Sequence, residues 1–353
     1  MADILCAEAR LSLADPAGLL PALVARLGGA VETTPAGAVV RHPRLGVLTL
    51  AVAARTLAVG CAAPSAAALG WGKMAVAEAL AALAPEHPAF AWTGDAAGAR
   101  DLPFFREMVV AGAFQVTPRL RRVVLAGDAA HFARGGLHAR VLIPPAGRAP
   151  VWPHADAEGR MVWPQGADAL VPRVYTVRAV DTVRGEIALD VALHEGPGAR
   201  WARAAAPGDR VGLLGPGGAA PEPAPWQLYA GDETALPAIA RLLEELPAGA
   251  RAVVRIEVAD PAEEQALASP ASVDLRWLHR GGAPAGTTRL LDRAIDAVAF
   301  PDDPAAGRVF AGCEQATARR LRALVPPRSG IDKTRCMIAA YWRLGHAGVD
   351  VGE

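Results

Sequence analysis

Apolar positions along this chain recur with two different periods, and the changes of period divide it into three stretches. Residues 4–13 alternate loosely and predict a strand. Asp15-Pro16 then opens a helix with proline at its first position. Leu19, Leu20, Leu23, Val24 and Leu27 share one face of it, and Gly28-Gly29 ends it. Segments 38–41, 47–53 and 56–61 read as short strands. Segment 66–83 reads as a second helix, apolar at Leu69, Met74, Val76, Leu80 and Leu83. Together these predict a small α+β domain over 1–98, followed by a polar, Gly-containing linker at 95–102. Over 104–222 strands dominate, at 119–125, 137–143, 174–180, 186–193 and 210–214, a set that suits a small antiparallel barrel. A Pro/Gly-rich excursion with Trp152 and Trp163 interrupts them at 144–172. Over 223–353 the strands 227–230, 252–258, 273–278, 308–311 and 336–341 alternate with the helices 234–245, 288–297 and 315–324. That order predicts a doubly wound nucleotide-binding domain. The expected fold class is therefore multidomain, α+β and α/β.

Composition narrows the function. The chain has 353 residues, is 52% hydrophobic and carries a formal net charge of zero. It can build real cores, and it is not a globally basic nucleic-acid binder. Lys73 and Lys333 are the only lysines among 36 basic residues, so positive charge is carried by arginine, whose planar fork suits phosphates and carboxylates. The start of the chain has acidic residues where a secretory leader would be basic. The most apolar region, 47–71, is broken by Arg55, Gly60, Pro64 and Gly70, so no membrane insertion is expected. Cys6, Cys61, Cys313 and Cys336 form no CxxC pair, which predicts a cytoplasmic protein with reduced thiols and no metal site.

Three motifs carry candidate chemistry. On one strand, Arg173 and Tyr175 alternate with Thr176 and Arg178, giving a flat aromatic face, small hydroxyl partners and cations for a pyrophosphate. That set fits a flavin dinucleotide, and equally a sheet strand with exposed arginines. His194-Glu195-Gly196-Pro197-Gly198-Ala199 ends a strand and opens a short helix, where backbone N–H groups can approach phosphate oxygens, unless Gly-Pro-Gly is only a turn. Gly231-Asp232-Glu233-Thr234 follows the first strand of the α/β stretch, where a dinucleotide phosphate meets a helix N-terminus or where Asp232 or Thr234 is simply a cap.

The order and spacing of RVYTVR (173–178), LHEGPGARWARAAAPGD (193–209), LGPGG (214–218), WQLYAGDETALPAIARLLEELP (226–247), RWLHR (276–280), AGCEQA (311–316) and YWRLG (341–345) resemble those of bacterial siderophore-interacting proteins. These are ferric-siderophore reductases of the ferredoxin-reductase-like superfamily, and the resemblance covers residues 104–348. Residues 1–98 look similar to a small uncharacterised bacterial domain that brings no function with it.

The resemblance implies an FAD-binding barrel followed by a nicotinamide-nucleotide domain. Arg173, Tyr175, Thr176 and Arg178 would hold the flavin, and His194, Gly196, Gly198 and Ala199 would surround its ribityl chain and phosphates. Gly231, Asp232, Glu233 and Thr234 would face the nicotinamide nucleotide. In the turn at 311–314, Cys313 stands beside Glu314, as a small buried thiol or as a group near the flavin. The donor would be NADH, NADPH or a ferredoxin. Glu257 and Asp260 favour the first, and Arg255, Arg276 and Arg280 the second. The acceptor would be a ferric siderophore or other iron chelate, docked on Arg140 and Arg343. Electron transfer to iron needs no general base, so no catalytic residue is assigned. Two rival readings stay open. One is a flavoprotein reductase of another acceptor, the other a non-enzymatic siderophore-binding protein.

Overall fold

The computed structural model describes residues 4–346; the outer limits expected for the first and last domains, at 1 and 353, and the end of the resemblance at 348 lie outside the described residues. The chain divides into two compact units, one of residues 1–105 with 151–169 and one of 106–150 with 170–353.

The first unit is a six-stranded sheet ordered β2-β3-β4-β5-β1-β6. Its strands are β1 (Leu5–Ser12), β2 (Ala30–Thr34), β3 (Gly37–His42), β4 (Gly46–Ala53), β5 (Thr56–Ala63) and β6 (Thr93–Gly94). Helices α1 (Pro16–Leu27) and α2 (Ala66–Leu83) cover it. Alternation puts Ala7, Ala9, Leu11, Leu48, Leu50, Leu57 and Val59 into one core with Leu23, Leu69, Val76 and Leu80 of the helices. By length and composition α2 could cross a membrane, but here one side of it is spent in this core. The excursion expected inside the barrel domain belongs largely to this unit. Ala155 N–H donates to Arg100 O (2.8 Å), and the Trp92 indole donates to Glu158 O (2.9 Å). A small hairpin of β10 (His154–Ala155) and β11 (Met161–Val162) shapes it. A backbone carbonyl and an indole of the first unit supply these polar partners, which local sequence does not reveal.

The second unit opens with a closed barrel ordered β12-β13-β8-β7-β14-β9. Its strands are β7 (Phe105–Thr117), β8 (Leu120–Ala126), β9 (His138–Ile143), β12 (Val171–Asp181), β13 (Glu186–Ala192) and β14 (Arg210–Gly217), with α3 (Pro197–Ala204) between the last two. Met108, Val123, Leu125, Val141, Val177, Leu189 and Leu213 fill its interior. The barrel is followed by a parallel sheet ordered β17-β16-β15-β18-β19. It consists of β15 (Trp226–Asp232), β16 (Arg251–Val258), β17 (Ser272–His279), β18 (Gly307–Glu314) and β19 (Cys336–Trp342). Helix α4 (Leu236–Glu244) packs on one face, with Tyr229, Val254 and Phe310. Helices α5 (Leu290–Asp296) and α6 (Gln315–Ser329) pack on the other, with Leu228, Val253 and Val309. Leu120 and Leu137 of the barrel enter the α4-side core, so barrel and sheet share apolar packing.

Polar ties reinforce that junction. Arg241 of α4 donates to Val177 O of β12 (2.9 Å), and Thr117 Oγ1 of β7 donates to Glu263 beyond β16 (2.5 Å). His138 of β9 bonds the Tyr341 hydroxyl of β19 through Nε2 at 2.9 Å, the rings edge to face. Burial, seconded by the Arg241 charge, lowers the His138 pKa to about 4 and favours the neutral ring. An unfolded chain takes up that proton nearer pH 6.5, so the stability gained from a neutral His138 is complete above that value and drains away as pH falls towards about 4. Urea denaturation should therefore show a stability loss across this window, at most about 1.4 kcal/mol per pH unit from this group. His138→Gln should flatten the pH slope; an unchanged slope would show that His138 is not the titrating group.

Candidate functional site

Strand β12 places the first motif. Thr176 and Val177 are buried in succession, and the pairing with β13 slips by one residue between Val177 and Ala179. A bulge of this kind re-aims side chains. Upstream, Arg173 and Tyr175 lie on one face, and both meet the N-terminus of α3. An ideal Cβ on Gly198 would stand 1.8 Å from the Tyr175 hydroxyl oxygen and 3.6 Å from Arg173 Cγ, so only glycine fits there. Tyr175 also stacks on Trp201 of the same helix, with ring centroids 6.5 Å apart, and burial pushes its pKa up to about 12. The structure thus brings Arg173, Tyr175 and Gly198 together from separate motifs. Gly196 and Ala199 are buried beside them, and the exposed His194 folds its Nδ1 back to Glu195 O.

Two details suit an anionic, multi-ring guest. Gly196 caps α3 without a side-chain bond, so the first-turn N–H groups have no side-chain acceptor there. Thr176 is only 3% exposed, and its Oγ1 has no hydrogen-bond partner. A buried hydroxyl left unpaired costs roughly 1–3 kcal/mol, so an acceptor or donor from a bound group would recover that loss. The donor set fits a flavin dinucleotide: an aromatic phenol, a vacant hydroxyl, a guanidinium and a helix N-terminus. Arg178 stands apart from this set. It lies at the bulge and makes a two-pronged bond to Glu244 of α4 (2.9 and 2.6 Å).

The third motif closes β15. Gly231 pairs with Gly312 of β18, and a Cβ there would meet Gly312 O at 2.5 Å, so the close approach of these strand ends requires glycine. The carboxylates beyond it already have partners. Asp232 accepts from Thr234 N–H (3.0 Å), Thr234 Oγ1 (2.5 Å) and the Trp342 indole (2.7 Å). Burial raises its pKa. Glu233 takes both ends of the Arg280 guanidinium. Glu257 accepts from Thr288 Oγ1 (2.7 Å) and lies 3.8 Å from Arg280, and burial raises its pKa as well. Glu314 caps α6 through Ala316 N–H and Thr317 N–H. Cys313 is 1% exposed in the sheet core, and burial raises its thiol pKa, so it is packing and not a reactive thiolate.

The docking candidates are both exposed, Arg140 within β9 and Arg343 just after β19. Sequence reasoning missed His138, Glu263 and Arg119, which are bonded to residues more than a hundred positions away. Tyr341 and Trp342 of the YWRLG motif are both hydrogen-bonded within the protein, to His138 and Asp232.

Comparison with known proteins places this geometry. Residues 109–220 match the siderophore-interacting FAD-binding domain, and residues 224–345 match the siderophore-interacting protein domain. The chain is 31% identical over 237 residues to the ferric vibriobactin reductase ViuB of Vibrio cholerae, covering 65% of this chain and 86% of that one. It is 42% identical over 186 residues to an uncharacterized protein of Mycobacterium tuberculosis, covering 49% of this chain and 65% of that protein, so it spans just under two thirds of that relative. A siderophore utilization protein from T. fusca superposes with a TM-score of 0.58 at 36% identity, covering 70% of this chain and 95% of that one. With both domains matched in order across the barrel and the parallel sheet, the chain belongs to the siderophore-interacting protein family.

Proposed function

We propose that this protein is an FAD-dependent ferric-siderophore reductase that draws electrons from NAD(P)H and delivers them to chelated Fe(III). The reading is carried by the unpaired buried hydroxyl of Thr176, set beside Tyr175, Arg173 and the uncapped start of α3. These residues, with Gly196, Gly198 and Ala199, would hold the flavin; His194 stands at the rim, and Arg178 serves the β12–α4 junction instead. When bound, FAD supplies a carrier that accepts a two-electron hydride and passes electrons singly to iron. The chain's own part is to fix the ring, keep the nucleotide at the carboxyl ends of β15 and β18 beside Gly231 and Gly312, and leave a route for the chelate. No proton need be moved by a side chain, which agrees with carboxylates bound to partners instead of being poised in a cleft.

Ferric siderophores are often anionic, and the exposed Arg140 and Arg343 are the proposed cationic docking residues. Fe(II) is held less tightly by hard oxygen donors and would leave the chelate. All four cysteines are unpaired thiols, which supports a reducing, cytoplasmic setting.

The test is anaerobic spectroscopy of the FAD-loaded protein. The flavin band should bleach on addition of NADPH or NADH and return on addition of a ferric chelate, with Fe(II) trapped in proportion. Failure to bind added FAD would end the reductase reading. Bleaching that is reversed by oxidised ferredoxin but by no ferric chelate would move the activity to another acceptor.

A further inference from the structure

The arginines expected to serve nucleotide charge are largely engaged. Arg255 donates to Val254 O, Asp274 O and Asp274 Oδ2 (2.8, 2.8 and 2.9 Å), and Arg276 lies 3.8 Å from the same Asp274. Arg280 is gripped by Glu233 and faces Glu257, so those carboxylates neutralise its charge. A different arginine is uncommitted. Arg119, in the turn between β7 and β8, is exposed, and its guanidinium has no hydrogen bond or ion pair among the described residues. Its backbone is nevertheless fixed. Arg119 N–H donates to Glu263 Oε2 (3.3 Å), which also holds Thr117, and Leu193 N–H donates to Arg119 O (2.8 Å).

Arg119 lines a cleft with Asp260, Arg280 and the loop 281–285, just beyond the carboxyl ends of β16 and β17. Arg280, which lines the cleft too, is only 8% exposed, and its Nε has no hydrogen-bond partner. Asp260 uses Oδ1 to cap the short helix Pro261–Glu263 through Ala262 N–H (2.9 Å), leaving its other oxygen as an acceptor. In a sheet of this strand order a dinucleotide crosses the carboxyl ends, with the adenosine ribose beside the end of the second strand, here β16. A carboxylate there suits ribose hydroxyls, whereas an arginine nearby suits a 2′-phosphate.

We propose that this cleft binds a ribose carrying a 2′-phosphate, and that Arg119, contributed by the barrel, selects NADPH over NADH. The proposal rests on the reductase reading above and decides which nucleotide serves it. The phosphate dianion takes the uncommitted guanidinium, and Asp260 accepts from a neighbouring ribose hydroxyl. Glu263 is a positioning residue, because it pins the turn that carries Arg119.

Calorimetric titration of the FAD-loaded protein with 2′,5′-ADP and with 5′-AMP tests this without turnover. The wild type should bind 2′,5′-ADP more tightly by about tenfold, the scale of one charge-assisted contact. Arg119→Ala should bring the two affinities together by weakening 2′,5′-ADP alone, and Arg119→Lys should restore part of the difference. Thermal melts of both variants should match the wild type, since the side chain is exposed. Equal affinities in the wild type, a preference that survives Arg119→Ala, or no binding of either nucleotide would overturn the proposal. The two readings fail separately. Bleaching by NADH as fast as by NADPH, with no 2′,5′-ADP preference, sinks the cleft and leaves the reductase. No bleaching by either sinks the reductase.

Discussion

Polar atoms taken out of water must find partners, and that constraint organises the second unit. At the carboxyl edge of its parallel sheet, Asp232, Glu233, Glu257 and Glu314 could not sit so close as unpaired charges. Each is bound instead, to Thr234 and Trp342, to Arg280, to Thr288, and to the first turn of α6. These bonds fix the strand ends and the start of the helices. On the barrel side the same rule leaves an exception. Thr176 Oγ1 is buried with nothing to bond, at the place where Tyr175, Arg173 and Gly198 converge. An unpaired buried hydroxyl at the point where these three residues converge is where a guest would be held.

Under the proposed function, the barrel and the sheet must hold a fixed relation for electrons to pass between a flavin and a nucleotide. The junction supplies it by several unlike contacts. Leu120 and Leu137 enter the core under α4, Arg241 reaches Val177 O, Glu244 holds Arg178, Glu263 holds Thr117, and His138 meets Tyr341. Arg178 is therefore a junction residue, although it belongs to the same six-residue motif as Tyr175. The bulge after Val177 is what separates the roles of neighbours in that motif.

Much of this was legible in the sequence where one local signal decided the outcome. Helix α2 follows its apolar pattern end to end, as Ala66–Leu83. The glycines at 198 and 231 were legible because only a missing Cβ permits such approaches. Strand β2, exposed along its whole length, has no buried face to produce a pattern. Strand β7 hid because register shifts near Gly112 and Thr117 break its alternation. Helix α6 runs to Ser329 through Pro326 and Pro327, which read locally as a stop. Partnerships such as Thr117 with Glu263 or His138 with Tyr341 depend on tertiary packing, and residue type alone does not disclose them. Nor does it disclose that residues 151–169 fold with the first unit.

The central claim is that the Thr176 hydroxyl is reserved for a bound flavin. Thr176→Val separates this from a structural role, because the two accounts give opposite signs. FAD affinity and the urea stability of the flavin-free protein should be measured together. The account predicts FAD affinity weakened by about tenfold, with flavin-free stability unchanged or raised by about 1 kcal/mol as an unpaired hydroxyl is removed. Unchanged FAD affinity, or a destabilised flavin-free protein, would contradict it.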